Sequence, residues 1–134
     1  MQWRITFINI IYMHMLNTEE KTKAVVAALE DVKASNITVI DTSKLSSMFE
    51  RMVIASAQST RQTKALADNV VVKLKERGEE IYGREGEDSG EWILVDLGEV
   101  LVHVMQPAVR AYYNLEELWS RAQAGRPKLA KPPK

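Results

Sequence analysis

The spacing of hydrophobic residues along the chain alternates between a helical period and an extended one. Apolar side chains recur every three or four positions after Thr18, a capping residue, and the pattern stops at Ser35-Asn36, so a helix is predicted there. A second helix is predicted from Ser59 to Gly78, with Ser59 as its cap and Gln62 reaching back to Ser59 in a capping box. The inner stripe of this second helix is Thr63, Ala67, Val70, Val71 and Leu74.

Short runs of β-branched residues predict strands between and after these helices. The runs lie at 37–40, within 49–57 and at 81–82, and the acidic, glycine-bounded segment 83–90 is predicted as a loop. Pro107 suits the first turn of a short helix that ends at Tyr113, and Asn114 can cap another over 115–122. This order predicts an α/β (α+β-like) fold, a single mixed sheet of about five strands with helices packed mainly on one face.

Residues 89–105 carry the most specific pattern, two strands joined by a tight turn at Leu97-Gly98. A two-residue loop places Ile93 opposite Val102 and Val95 opposite Val100, so that one face of the hairpin is wholly aliphatic. The other face, called the hairpin face below, carries Trp92, Leu94, Asp96, Leu101, His103 and Met105. A three-residue loop would change the parity and join Trp92 and Asp96 to the valine face.

The chemistry of the hairpin face favours a surface that binds another protein. An aromatic ring, a carboxylate, an imidazole and a thioether together suit an interface better than a dry core. Two helices on one side of the sheet leave the other side open, and an uncovered apolar patch needs a partner. Trp92 is as consistent with a core as with an interface. His103 is less consistent with a general base than with a structural or interface role, because no nucleophile lies beside it.

Composition and charge divide the chain into three parts. The apolar leader 1–16 precedes a predicted domain at 17–120, and a proline-containing basic tail follows at 121–134. Residues 1–120 hold 13 basic and 18 acidic side chains, a net −5, whereas the tail holds five basic side chains and no acidic one. The tail is interpreted as a flexible, solvated terminus, and a segment that reaches toward phosphate groups is the alternative.

The leader permits several interpretations. Its apolar run over residues 1–14 is too short to span a membrane and lacks the small-residue cleavage site of a signal peptide. Translation could also start at Met13 or Met15, after which the polar, helical pattern begins. An edge strand and a short apolar helix both remain possible for the run.

Motifs for phosphate binding and nucleophilic catalysis are absent from the sequence. No pair of strand carboxylates could hold magnesium, and the carboxylates Glu85, Glu87 and Asp88 are interpreted as a solvated loop. With no cysteine and two histidines, neither a disulfide nor a histidine-rich metal site is expected. We therefore predict a protein without cofactor or enzymatic activity. Arg61 opposes the dipole at the start of its helix, which indicates an acidic or carbonyl partner.

Several segments together resemble the ribosomal silencing factor family (RsfS, also called Iojap). The resemblance covers about residues 17–120, in the family's order and spacing. Its most specific part is the series Gly90-Glu91-Trp92, Asp96-Leu97-Gly98 and Val102-His103-Val104. The other segments are Asp41-Thr42-Ser43, Val53-Ile54-Ala55-Ser56, the stretch from Ser59 to Asp68, Gly86, and the stretch from Tyr112 to Trp119. Glu50-Arg51-Met52 departs from the family's usual Asp-Tyr-Phe, and Ala57 from a common glycine.

The resemblance implies a cytoplasmic factor that binds the large ribosomal subunit through ribosomal protein L-fourteen. It implies that this binding blocks joining of the small subunit and dampens translation when nutrients are scarce. It also implies a nucleotidyltransferase-like fold without catalytic carboxylates, and weak homodimers in the free protein. The family's docking surface is carried onto Trp92, Asp96, Gly98 and His103, and also onto Arg61. A nucleotide-using enzyme is one alternative function, and an RNA binder that contacts ribosomal RNA through the basic tail is another.

Overall fold

The computed structural model describes residues 16–123. The helices are α1 (Thr18–Asp31), α2 (Thr60–Glu76), α3 (Pro107–Tyr113) and α4 (Leu115–Gln123). The strands are β1 (Ser35–Asp41), β2 (Arg51–Ser56), β3 (Gly83–Glu85), β4 (Trp92–Asp96) and β5 (Val100–Met105). The predictions for the leader up to Met15 and for the basic tail beyond residue 123 lie outside the described residues.

The strands form a single mixed sheet in the order β1-β2-β5-β4-β3. Only β2 and β5 pair in parallel, and the other three neighbouring pairs are antiparallel. The predicted fold class, one mixed sheet of five strands with its main helices on one face, is therefore confirmed. Because β5 is the central strand, the second half of the predicted hairpin lies at the middle of the molecule.

The first helix starts one residue earlier than predicted. Asn17, not Thr18, is its N-cap: the Asn17 side chain accepts a hydrogen bond from the backbone N–H of Glu20 at 2.8 Å. The Glu20 carboxylate in turn accepts the N–H of Asn17 at 3.1 Å, which completes a capping box. The Thr18 hydroxyl instead donates to Glu50 at 2.6 Å and ties the helix to the segment before β2.

The second helix begins as predicted, with Ser59 accepting the N–H of Gln62 at 3.1 Å. The predicted hydrogen bond from the Gln62 side chain back to Ser59 does not form. The side-chain oxygen of Gln62 instead accepts the backbone N–H of Gln58 at 2.7 Å. The amide group of Gln62 also donates to the backbone carbonyls of Val32 and Lys33, just past the end of α1. One side chain thus caps α2 and joins the two main helices.

The strand predicted at Ile81-Tyr82 is wrong. The edge strand β3 lies at Gly83–Glu85, inside the segment predicted as a loop. Tyr82 contributes one backbone bond, from its N–H to the Asp96 carbonyl at 2.8 Å. An edge strand this short needs only backbone pairing with β4, so its polar side chains give no alternating pattern to detect.

The main core lies between the sheet and the two long helices. Val25 and Leu29 of α1, and Val70 and Leu74 of α2, are fully buried against the aliphatic face of the sheet. That face is formed by Val53, Ala55, Ile93, Val95, Val100, Val102 and Val104. The aliphatic half of the hairpin pattern is therefore part of the main hydrophobic core.

The sequence predicted that the opposite face of the sheet is open, and this prediction is wrong. The C-terminal helix pair, α3 and α4, packs on part of it and buries a second cluster of Met52, Ile54 and Met105. Phe49 and Trp119 pack edge to face at the border of this cluster, with their ring centroids 5.7 Å apart. The sheet is thus covered fully on one side and partly on the other.

Candidate functional site

The hairpin pairs two residues out of the predicted register and keeps the predicted faces. Ile93 lies opposite Val104, and Val95 opposite Val102; the predicted partners were Val102 and Val100 respectively. The turn is at Gly98-Glu99, closed by a bond from the Leu97 N–H to the Val100 carbonyl at 3.0 Å. A shift of two residues preserves side-chain parity, so the composition of the hairpin face is confirmed.

Asp96 and Gly98 shape the turn of this hairpin. Gly98 has a φ of +92°, a conformation that favours glycine, and its N–H donates to the Asp96 carboxylate at 2.9 Å. The turn is also held from α1, because the Lys21 ammonium binds the Leu97 carbonyl at 3.1 Å and Glu99 at 2.7 Å. Both predicted site residues therefore have a structural role, and they remain partly exposed.

Lys21 lies almost entirely inside the protein, between two carboxylates. Its ammonium is 3.0 Å from Glu79 and 2.7 Å from Glu99. Desolvation alone would lower the pKa of Lys21, but the hydrogen bonds to Glu99 and Glu79 outweigh it and raise the pKa. The charged ammonium thus fixes the turn end of the hairpin to α1 and to the segment that follows α2.

Trp92 and His103 form the centre of the hairpin face. The indole N–H donates to Nδ1 of His103 at 3.0 Å, so the neutral imidazole carries its proton on Nε2. Burial lowers the pKa of His103 to about 4, and its side chain has no hydrogen-bond partner at Nε2 among the described residues. His103 is 7% exposed, so it supports Trp92 from below the surface.

Met105 is fully buried in the second cluster, so this predicted site residue is not at the surface. The sequence placed it correctly on the hairpin face and did not anticipate the helices that cover it. Leu94 and Leu101 are half-buried on the same face. The accessible part of the face therefore runs from Trp92 toward the hairpin turn.

Two tyrosines of α3 extend the exposed surface beside Trp92. The ring centroids of Trp92 and Tyr113 lie 4.9 Å apart, and those of Tyr113 and Tyr112 lie 5.0 Å apart. Tyr112 is 81% exposed and Tyr113 is 53% exposed. Together they bound a groove of about 440 Å³, called the aromatic groove. Its lining residues are Ser89, Glu91, Trp92, Ala108, Val109, Tyr112 and Tyr113.

Sequence reasoning did not select the tyrosines or Glu91 as site residues. The available signal was a pair of adjacent tyrosines in a helix of seven residues, which can bury only one side. Val109 supplies that buried side, in contact with the second cluster. Exposed aromatic rings beside a tryptophan are typical of protein interfaces.

A second depression lies on the other side of Trp92. It has a volume of about 240 Å³ and is lined by Glu85, Gly86, Trp92 and Leu94. Gly86 has a φ of +98°, and a Cβ there would lie 1.9 Å from the Trp92 carbonyl oxygen. Only glycine lets the β3–β4 connection pass this close to Trp92.

Arg110 holds the C-terminal helix pair on the sheet. Its guanidinium donates to the Asn36 carbonyl at 2.6 Å, to Ser56 at 2.8 Å and to Thr38 at 3.0 Å. It also pairs with Glu116 of α4 at 2.5 Å, and that hydrogen bond lowers the pKa of the Glu116 carboxyl. Arg110 thus links α3, α4, β1 and β2 and fixes the position of the tyrosines.

Arg61 lies in the first turn of α2 and is exposed. The start of this helix contacts the segment before Trp92, since Gln106 donates to both the Thr60 hydroxyl and the Gly90 carbonyl at 3.2 Å. Arg61 therefore lies near the same end of the sheet as the aromatic groove and does not line it. No ion pair involves it among residues 16–123.

Neither a cluster of metal-ligating side chains nor a membrane-spanning helix is found in the part of the chain that the structure describes. Within 16–123, no group of three or more histidine, cysteine or acidic side chains could hold a metal ion. In the same part of the chain, no helix has the length and apolar run that crossing a bilayer requires. The exposed aromatic and acidic surface around Trp92 remains the main candidate site.

Comparison with known proteins gives consistent matches. A family model described as ribosomal silencing factor during starvation matches residues 15–133. The ribosomal silencing factor RsfS of Chromobacterium violaceum is 56% identical over 104 residues, covering 78% of this chain and 85% of that protein. A more distant mouse relative, named mitochondrial assembly of ribosomal large subunit protein 1, is 34% identical over 98 residues, covering 71% of this chain and 43% of that protein.

The fold is shared as well. The crystal structure of a Chromobacterium violaceum protein superimposes with a TM-score of 0.77 at 55% identity, covering 78% of this chain and 88% of that one. The family resemblance seen in the sequence is thereby confirmed. From the family match, the identity to relatives and the common fold, it follows that this chain belongs to the ribosomal silencing factor family.

Proposed function

We propose that this protein binds the large ribosomal subunit through ribosomal protein L-fourteen and prevents the small subunit from joining. The repression is strongest under nutrient limitation, in keeping with the description of its family as a silencing factor during starvation. The printed name of the mouse relative connects that protein with the large ribosomal subunit. The protein acts by occupying a surface and performs no reaction there.

The observation that carries this proposal is the exposed aromatic surface around Trp92. Tyr112 exposes 81% of its surface to water although it lies beside another aromatic ring, an arrangement that makes a good interface anchor. The residues beneath this surface hold it in place, because Trp92 is hydrogen-bonded to His103 and Arg110 holds α3 on the sheet. A fixed aromatic surface loses little side-chain entropy when it binds.

The docking surface comprises the accessible residues of the hairpin face and of the aromatic groove. Trp92, Leu94 and Leu101 supply apolar area, and Asp96 and Gly98 present the turn. His103 and Met105 act from the interior by supporting these residues, and Arg61 contributes at the margin.

Binding of purified ribosomal protein L-fourteen, measured by calorimetry, tests the proposal. Tyr112→Ala should weaken binding at least about tenfold, because anchors of this kind cost about 2 kcal/mol when truncated. Val72→Ala is the matched control, since Val72 is 49% exposed on α2 on the other side of the sheet. Absence of binding by the unmodified protein, or equal weakening by both variants, would contradict the proposal.

The free protein should form a weak homodimer through the same surface, in competition with ribosome docking. An apolar surface without a partner tends to associate with a copy of itself. Light scattering over a dilution series should show dissociation to monomers, and ribosomal protein L-fourteen should shift the equilibrium toward a one-to-one complex. A monomer at every concentration would exclude the dimer, and a dimer that binds two partner molecules would exclude competition.

A further inference from the structure

We infer that the aromatic groove receives an arginine side chain that projects from the partner protein. The inference rests on the proposed docking function and names the chemistry that this part of the surface recognises. It follows from the sign of the charges around the groove, from the geometry of its rings and from its supporting contacts.

The charged residues that line the two depressions beside Trp92 are both acidic. Glu91 lines the aromatic groove, Glu85 lines the depression on the other side of Trp92, and no lysine or arginine lines either one. Neither carboxylate has an ion pair among the described residues. The nearby Glu87 differs, because Arg84 already pairs with it. Two exposed carboxylates beside one tryptophan therefore favour a cationic guest.

The rings favour a planar cation. Tyr113 and Trp92 meet at 50° and Tyr112 and Tyr113 at 85°, so the three rings that line the groove lie in different planes. A guanidinium stacks on aromatic faces and donates to a carboxylate with a fork of N–H groups, whereas an ammonium is a compact, strongly hydrated point charge. A groove of about 440 Å³ leaves space for the aliphatic stem beside Ala108 and Val109.

The alternative guest, an apolar side chain, would leave Glu91 partly desolvated without a partner. Burial of an unpaired carboxylate is unfavourable, so an apolar partner would exclude Glu91 from the contact. Lys64 lies on the α2 side of Gly90, where its Cε is 3.3 Å from the position that a Cβ on Gly90 would take. Lys64 does not line the groove, and Glu91 is left for the partner.

A peptide titration tests the inference without any ribosomal component. The probes are acetyl-Gly-Arg-Gly-amide and its citrulline analogue, which keeps the size and planarity of the arginine side chain and removes the charge. The readout is the NMR signal of the Trp92 indole N–H, identified by its loss in Trp92→Phe protein. The arginine peptide should shift this signal, and the citrulline peptide should leave it in place.

The same titration on Glu91→Gln should lose the shift, and Glu30→Gln should retain it. Glu30 is an exposed carboxylate of α1, on the other side of the sheet, and is the matched control. No shift with the arginine peptide, an equal shift with citrulline, or an unchanged shift in Glu91→Gln would overturn the inference. Failure of the unmodified protein to bind ribosomal protein L-fourteen would instead overturn the proposed function, so the two failures are distinguishable.

Discussion

At the scale of single residues, His103 determines how the candidate surface is built. Its imidazole is buried and neutral, and it accepts a hydrogen bond from Trp92, which lies at the surface. The sequence identified His103 through its place in a strand pattern, and the parity of that pattern gave the correct face. Its burial was not predictable, because it depends on the distant helices that pack on β2 and β5.

Acidification should destabilise the protein through His103. Its pKa is about 4 in the folded protein against an ordinary 6.5, so between these values the unfolded chain takes up a proton that the folded one does not. The contribution of the neutral His103 to the free energy of unfolding is therefore fully present above pH 6.5 and is lost as the pH falls toward 4. From pH 7 to pH 5 the loss should be about 2 kcal/mol.

Urea denaturation at these two pH values measures the effect. His103→Gln protein is the comparison, because its amide does not titrate while the carboxylates of the two proteins are otherwise the same. The loss of stability should be smaller in His103→Gln by about 2 kcal/mol. An equal loss in both proteins would show that His103 is not buried in its neutral form.

At the scale of elements, the molecule has two helical layers that are attached in different ways. The long helices α1 and α2 are held by a continuous apolar core, which hydrophobic periodicity can reveal. The C-terminal helix pair is held by Arg110, by a small cluster and by the contact between Phe49 and Trp119. These contacts join segments far apart in sequence, so no local pattern predicted that α3 and α4 would cover the sheet.

Removal of the Arg110 side chain should loosen the C-terminal helix pair. Arg110→Met leaves the Asn36 carbonyl and the Glu116 carboxylate without their donor, so unfolding free energy should fall by about 2 kcal/mol or more. Arg121→Met is the control: Arg121 is 60% exposed and only 3.9 Å from Glu117, and pairs of this kind contribute about 1 kcal/mol or less. Equal melting temperatures for the two variants would contradict the anchoring role of Arg110.

A charge on the inner stripe of α2 should be far more damaging than one on its outer side. Val70 is fully buried, and Val72, two residues further on, is 49% exposed. Val70→Asp should cost about 4 kcal/mol or more, whereas Val72→Asp should change stability by about 0.5 kcal/mol or less. Thermal denaturation compares the two, and similar melting of both variants would mean that the stripe is misassigned.

At the scale of the whole molecule, the sequence predicted the sheet, the order of its elements and the faces of the hairpin. It did not predict the aromatic groove, because the groove forms where α3 docks next to Trp92. Two of the eight predicted site residues, His103 and Met105, are buried. What remains at the surface is a continuous aromatic and acidic area on the side of the sheet away from the long helices, as a docking function requires.

Co-sedimentation with purified ribosomal subunits tests the central claim most directly. The unmodified protein should travel with free large subunits and remain unbound in the presence of small subunits alone. The Tyr112→Ala variant should no longer travel with the large subunits. Co-sedimentation with small subunits, or with neither subunit, would contradict the proposed function.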